Sequence, residues 1–315
     1  MEQIATRDVY GKTLVELGKK YNDIVVLDAD LSASTKTILF AKEFPERFFN
    51  MGVAEQNLIG FAAGLANGGK VAFASTFAMF ATGRGWEQIR NTVCYNNLNV
   101  KIACSHAGIT VGEDGSSHQS LEDIALMSII PNMTVVVPCD GPETKKAVTA
   151  AYHHKGPVYL RLSRPKFPVI TKEDSLFTIG KASVINEGND LTIIACGLMV
   201  GKAVEAISIL KQKNINARLI NMHTIKPIDK DIIIKAAKET GVIVTAEEHS
   251  IIGGLGSAVA SVASMHSPVP IEMVGTKDTF GQSGQPDELC KKYNLDTPDI
   301  VKAAEKAISR KSKNV

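Results

Sequence analysis

The sequence predicts an α/β protein of two doubly wound domains with mainly parallel sheets. Three observations carry that prediction. Short β-rich runs, apolar on both faces, alternate with longer helical patterns, as in a parallel sheet covered by helices. The alternation breaks once, around 165–177, where Pro165, Pro168, Lys172, Glu173 and Asp174 read as a connection. A second α/β series then follows. The boundary is placed near residue 175, giving domains 1–175 and 176–315.

In the first domain the runs 24–27, 70–74, 100–103, 134–137 and 158–162 are predicted strands. The stretches 55–66, 82–91 and 142–153 are predicted helices. In the second domain 191–195, 217–221, 242–246 and 271–274 are strands, and 200–213, 229–240, 255–265 and 297–310 are helices. A chain of 315 residues, 44% hydrophobic and 22% charged, has ordinary globular composition and enough length for a sizeable core. The net charge is only +2, and the Lys-rich tail after Ser309 is short, so no nucleic-acid partner is expected. No apolar run approaches the roughly 20 residues that cross a bilayer. The start, Met1-Glu2-Gln3-Ile4, has no secretory pattern. Five cysteines, none at CxxC spacing, read as reduced thiols. A cytoplasmic location without a membrane partner is the expectation.

Ligands of such sheets bind beyond the carboxyl ends of the strands. Asp28 and Asp30 follow the first predicted strand, His106 the third, and Ser163 and Arg164 the fifth. Glu55 opens the pattern Glu55-Gln56-Asn57-Leu58-Ile59-Gly60-Phe61-Ala62-Ala63-Gly64-Leu65-Ala66. One reading is a first-turn glutamate favoured by the helix dipole. The helix is apolar almost all round and rich in small residues, so it is expected to be buried and tightly packed. A carboxylate at the mouth of a buried helix is costly unless a partner takes it, and a ligand nitrogen is one such partner. The Gly-rich loop 105–119 can hold neither a helix nor a strand, and it carries His106, Asp114 and His118. Those three either converge on a small polar ligand or are solvated; they lack the helical spacing of a metal site. Phe77 and Phe80 read as core packing or as an aromatic wall for a flat heterocycle. Arg7 and Arg164 suit a phosphate, with Ser34 and His106 completing a clamp if the fold gathers all four. Gly253-Gly254-Leu255-Gly256-Ser257-Ala258 fails the dinucleotide pattern and reads as close helix–strand packing.

Met51-Gly52-Val53-Ala54-Glu55-Gln56, then Ser75-Thr76-Phe77, then Gly112-Glu113-Asp114-Gly115-Ser116-Ser117-His118-Gln119 resemble the pyrimidine-binding domain of transketolases, over about residues 5–170. The remainder resembles the family's C-terminal domain. The resemblance implies a thiamine diphosphate enzyme that moves two-carbon ketol units between sugar phosphates. It places Glu55 opposite the N1-prime nitrogen of the cofactor's aminopyrimidine ring. Phe80 would stack on that ring, Phe77 would line the same pocket, and Asp30 would sit close to the cofactor. His118 would lie near the 4-prime amino group and the reacting carbon, and Asp114 would hold a sugar hydroxyl. Arg7, Ser34, His106 and Arg164 would grip the substrate phosphate. The family has a further aromatic three positions after Phe80; here that position is Gly83, so the wall is thinner or filled from elsewhere.

The Gly-Asp-Gly motif by which the family's earlier domain marks its diphosphate and Mg²⁺ site is absent from this sequence. The expectation is therefore a C-terminal subunit whose active site is completed by a separate N-terminal subunit that holds the Mg²⁺, in an assembly of two copies of each. Half of a 1-deoxyxylulose-5-phosphate synthase is the nearest alternative, although that family tends to an arginine where His106 stands. The beta subunit of a 2-oxo-acid dehydrogenase and a non-catalytic scaffold of the same fold are more distant ones.

Overall fold

The computed structural model describes residues 2–311; Met1 and the tail 312–315, which holds part of the Lys-rich terminus, lie outside the described residues. The strands are β1 (Gln3–Ala5), β2 (Ile24–Asp28), β3 (Phe48–Asn50), β4 (Val71–Phe77), β5 (Val100–Ser105), β6 (Thr134–Val136) and β7 (Val158–Arg161). They continue with β8 (Lys166–Pro168), β9 (Ser183–Asn186), β10 (Leu191–Ala195), β11 (Ala217–Asn221), β12 (Thr224–Lys226), β13 (Ile243–Ser250) and β14 (Ile271–Thr276).

Seven strands form the first sheet, in the order β12-β6-β7-β5-β4-β2-β3. All its pairings are parallel except β12–β6. Five strands form the second sheet, β14-β13-β10-β11-β9, in which only β9 runs antiparallel. The central strands β2, β4, β5 and β10 are buried along their whole length. That burial is why they are apolar on both faces. β12 lies beyond residue 175 in the chain and yet borders the first sheet, so the second half of the chain supplies an edge strand to the first.

The helices follow their end signals. Thr6–Lys20 has Asp8 in its first turn and Lys19 and Lys20 in its last, each favoured by the helix dipole. Gly141–His153 starts with a proline in its first turn, and the Asp140 side chain caps it by accepting the Glu143 amide N–H. The other Asp140 oxygen accepts the Ile170 and Thr171 amides, which ties the connection between the halves to this helix. Asn221 of β11 donates to the buried Glu143 at 2.7 Å, which ties the second sheet to the same helix. One apolar core runs through both halves, from Leu27 and Leu58 to Ile194, Ile220 and Leu255.

Two expectations change. The helix Glu55–Asn67 is not buried all round: Gln56, Asn57, Gly60, Phe61 and Gly64 form an open face, and a Cβ on Gly60 or Gly64 would meet nothing within 4 Å. Small residues permit close packing, but nothing in this chain lies against the two glycines, and Phe61 meets Phe49 with ring centres 5.5 Å apart. The predicted helix 82–91 is instead two wide π-helical turns, Phe80–Arg84 and Gln88–Cys94. The loop 105–119 is irregular as expected, apart from 3-10 turns over Ile109–Asp114 broken at Gly112, whose φ is 83°.

Candidate active site

Glu55 begins its helix directly after the loop from β3. It is 1% exposed. Its Oε2 accepts from Arg84 Nη1 at 2.6 Å, whereas its Oε1 is buried with no hydrogen-bond partner. The same guanidinium lies over the Phe80 ring, 5.3 Å from its centre. A Cβ on Gly83 would meet Met79 Cε at 3.2 Å, while Arg84 covers the Phe80 ring. Nothing in the sequence marks Arg84 as part of this group, because 29 residues separate it from Glu55 and only the wide turn brings it back.

Phe77, at the end of β4, stacks on His106 with ring centres 3.8 Å apart and on Phe80 at 5.8 Å. His118 meets Phe80 edge-on at 5.2 Å. Glu55, Arg84, Phe80, Phe77, His118 and His106 therefore form one contiguous set at the carboxyl ends of β4 and β5.

His106 has φ 59°, a left-handed conformation uncommon outside glycine that turns the chain sharply at the end of β5. Arg7 Nη1 approaches its Nε2 at 3.2 Å, and Ser105 Oγ lies 2.8 Å from its Nδ1. An arginine can only donate, so Nε2 is the acceptor and Nδ1 carries the proton that Ser105 receives. Burial, reinforced by Arg7 and Arg164, pushes the imidazole down to about 3, so it is neutral at physiological pH. Arg7 also donates to the Ser34 carbonyl at 3.1 Å, and its Nε is buried without a partner. Burial, and then the nearby Arg164 charge, holds Arg7 below its ordinary value. Two guanidiniums and a neutral imidazole around one point make a cationic pocket that a tetrahedral anion would relieve.

Asp28 and Asp30 separate in role. Asp28 is fully buried and accepts from the Leu31 amide at 2.5 Å, Thr35 Oγ1 at 2.6 Å and Thr37 Oγ1 at 2.8 Å. It shapes the turn that presents Ser34 to Arg7. Asp30 is exposed, has φ 64°, and accepts from Asn50 at 2.8 Å. Asp114 is exposed too, on the 105–119 loop. Arg164 donates to the Val111 carbonyl and to Glu113 Oε2, so it braces that loop as well as facing Arg7. Of the expected residues, Glu55, Phe77, Phe80, His106, His118, Arg7 and Ser34 are joined by direct contacts. Asp30 and Asp114 sit on the loops beside them.

A further charged cluster lies where the two halves meet. Arg161, at the end of β7, binds Asp123 through Nε at 2.7 Å and Nη2 at 3.1 Å, and Tyr159 donates to Asp123 at 2.6 Å. Burial would raise the Asp123 carboxyl, but Arg161 holds it below its ordinary value. Glu247 of β13 accepts the Leu255 and Gly256 amides at 2.6 and 2.8 Å. A Cβ on Gly254 would collide with this carboxylate. The glycine run 253–256 is thus close packing around an internal carboxylate, which occupies the helix start where a phosphate would otherwise bind. Among the described residues no group of three or more His, Cys, Asp or Glu could hold a metal ion.

Comparison with known proteins shows the family. The family model described as the transketolase pyrimidine binding domain matches residues 2–169, and that of the transketolase C-terminal domain matches 180–300. The chain belongs to the transketolase family. It is 56% identical over 299 residues to a protein of Methanocaldococcus jannaschii provisionally named a transketolase C-terminal section, covering 94% of each. It is 43% identical over 312 residues to a 6-deoxy-6-sulfo-D-fructose transketolase subunit of Clostridium sp., covering 99% of this chain and 97% of that protein. A solved structure described as a split gene transketolase, inactive beta4 tetramer, superposes with a TM-score of 0.92 at 54% identity, covering 98% of this chain and 99% of that one. The family generally uses thiamine diphosphate with a divalent metal.

Proposed function

We propose that this chain is the C-terminal subunit of a two-chain transketolase of the cytoplasm, moving a two-carbon ketol unit between sugar phosphates. Thiamine diphosphate would lie between this chain and a separate N-terminal subunit that holds the diphosphate and Mg²⁺, with two copies of each in the assembly. The observation that carries the reading is the orphaned Oε1 of a buried Glu55 beside Phe80 and Phe77. An uncompensated carboxylate oxygen at that depth is costly, and the N1-prime nitrogen of an aminopyrimidine would satisfy it. The relatives of matching length, named as a section and a subunit, support the two-chain form.

The cofactor, when bound, supplies the chemistry that cleaves and forms the carbon–carbon bond. This chain's residues bind, orient and move protons. Glu55 Oε1 holds the ring nitrogen and fixes its tautomer, while Phe80 and Phe77 give the ring an apolar wall. Asp30 sits at the mouth of the cofactor site. Arg7, Ser34, His106 and Arg164 grip the substrate phosphate, and binding energy there orients the distant reacting end. Asp114 accepts from a sugar hydroxyl. His118 has Nδ1 3.0 Å from Ser117 Oγ, which leaves Nε2 to exchange a hydroxyl proton.

The test is to mix this chain with a candidate N-terminal subunit, thiamine diphosphate and Mg²⁺, and to follow ketol transfer from xylulose 5-phosphate to ribose 5-phosphate. Turnover that appears only in the mixture is the expected result. Substantial turnover by this chain alone would overturn the two-chain reading. A parallel assay with 6-deoxy-6-sulfo-D-fructose as donor asks whether the cationic pocket takes a sulfonate in place of a phosphate.

A further inference from the structure

We propose that the second domain is a working part of the sugar site, and that Glu248 is the positioning residue that pins the loop carrying Asp114 and His118. The proposal rests on the reading above that this loop faces the sugar.

Glu248 lies on β13 in the second sheet, and it is buried. Its Oε1 accepts the Thr110 amide N–H at 2.7 Å, across 138 residues of sequence. Thr110 stands at the start of the loop's 3-10 turns. Just before it, Gly108 has φ 83°, and a Cβ there would run into the Glu248 carboxyl. Only a glycine lets the backbone come this close in this conformation. Arg161 fixes the strand from behind by donating Nη2 to the Glu248 carbonyl at 2.9 Å while it holds Asp123. The second domain thus carries the carboxyl, and the first supplies both the arginine that holds its backbone and the amide it accepts.

The rest of the loop also rests on second-domain atoms. Gln285 donates to Glu113 at 3.1 Å. A Cβ on Gly115 would come within 2.5 Å of Ser283 Oγ. Gln119, at the loop's end, donates to the Gln282 carbonyl at 2.9 Å and to the Ile109 carbonyl at 3.0 Å. A segment of short 3-10 turns broken by a left-handed glycine has little internal hydrogen bonding with which to hold its own shape. Its shape comes from the surface it lies on. At this depth an apolar side chain would serve packing better than a carboxyl, whose Oε2 is buried without a partner. What the carboxyl adds is an acceptor for one loop amide that would otherwise be orphaned.

The experiment compares Glu248→Leu, Glu248→Gln and Gly108→Ala with the parent chain by hydrogen–deuterium exchange, and then in the reconstituted enzyme. Glu248→Leu removes the acceptor and should speed exchange in 108–118 by about tenfold, the loss of one buried hydrogen bond. Glu248→Gln keeps the acceptor oxygen and should restore protection. In the enzyme, Glu248→Leu should lower kcat and raise KM for the sugar while thiamine diphosphate binds as before. Parent-like exchange in a folded Glu248→Leu chain would overturn the pin itself. If that variant does not fold, Gly108→Ala strains the same contact from the loop side, and parent-like exchange there would overturn it equally. Faster exchange with parent-like kcat and KM would overturn the proposal by a different route, because the loop would then not serve the sugar.

Discussion

Glu55 and Glu247 are both buried carboxylates beside the start of a helix, and they are satisfied in different ways. Glu247 spends both oxygens on backbone amides, those of Leu255 and Gly256. Glu55 gives one oxygen to the half-exposed Arg84 side chain and leaves the other with none. A carboxylate saturated by backbone is architecture: it replaces the solvent lost by a helix end. A carboxylate with one open oxygen beside an aromatic ring is what the proposed function reads as a receptor. The glycines near each follow suit. Around Glu247 they admit the carboxylate, whereas around Glu55 they leave one helix face open.

Exchanging the two roles by mutation is the strongest way to break the comparison. Glu55→Ala should lower kcat of the reconstituted enzyme by about 100-fold or more and leave the fold intact by circular dichroism. Near-parent turnover would remove Glu55 from the site. Glu247→Ala should do the reverse: two amides lose their acceptor, and unfolding in urea should show a loss of about 3 kcal/mol. Arg7→Ala sharpens the distinction between gripping and reacting. It should raise KM for a phosphorylated sugar by about tenfold or more, with a smaller effect on kcat.

A pH test follows from His106. Its folded value, about 3, lies below the ordinary value near 6.5. The unfolded chain therefore binds the extra proton between those limits, and stability falls as the pH drops from about 6.5 towards 3. His106→Gln should flatten that decline by at most about 1.4 kcal/mol per pH unit, read from urea unfolding at a series of pH values. The smallest effect is expected for Arg84→Lys, which keeps the charge but loses the flat guanidinium over Phe80. A change of about threefold in thiamine diphosphate affinity, measured by titration of the reconstituted pair, is expected.

The strands most legible in the sequence are those that owe their character to burial, such as 24–27, 191–195 and 217–221. The short edge strands β3, β9 and β12 take their identity from a neighbour, and their own residues carry little pattern. The helix Thr6–Lys20 is absent from the prediction because over half of its buried stripe is Thr6, Gly11, Thr13 and Gly18, which carry little apolar signal. The site splits along similar lines. Glu55, Phe77, His106 and His118 lie in local motifs, so sequence order alone points to them. Arg84 and Glu248 act at distances of 29 and 138 residues, and only the packed chain brings them to their partners. A local spacing cannot mark such contacts, because they are set by the turn at 80–85 and by the seating of the 105–119 loop on the second sheet.

The most direct test of the account is calorimetric titration of thiamine diphosphate, with Mg²⁺, into this chain alone, into its mixture with the N-terminal subunit, and into the same mixture carrying Glu55→Ala. The account predicts one site per pair of chains in the mixture, little binding to the chain alone, and clearly weaker binding with the variant. Equal affinity in the parent and Glu55→Ala mixtures would contradict it.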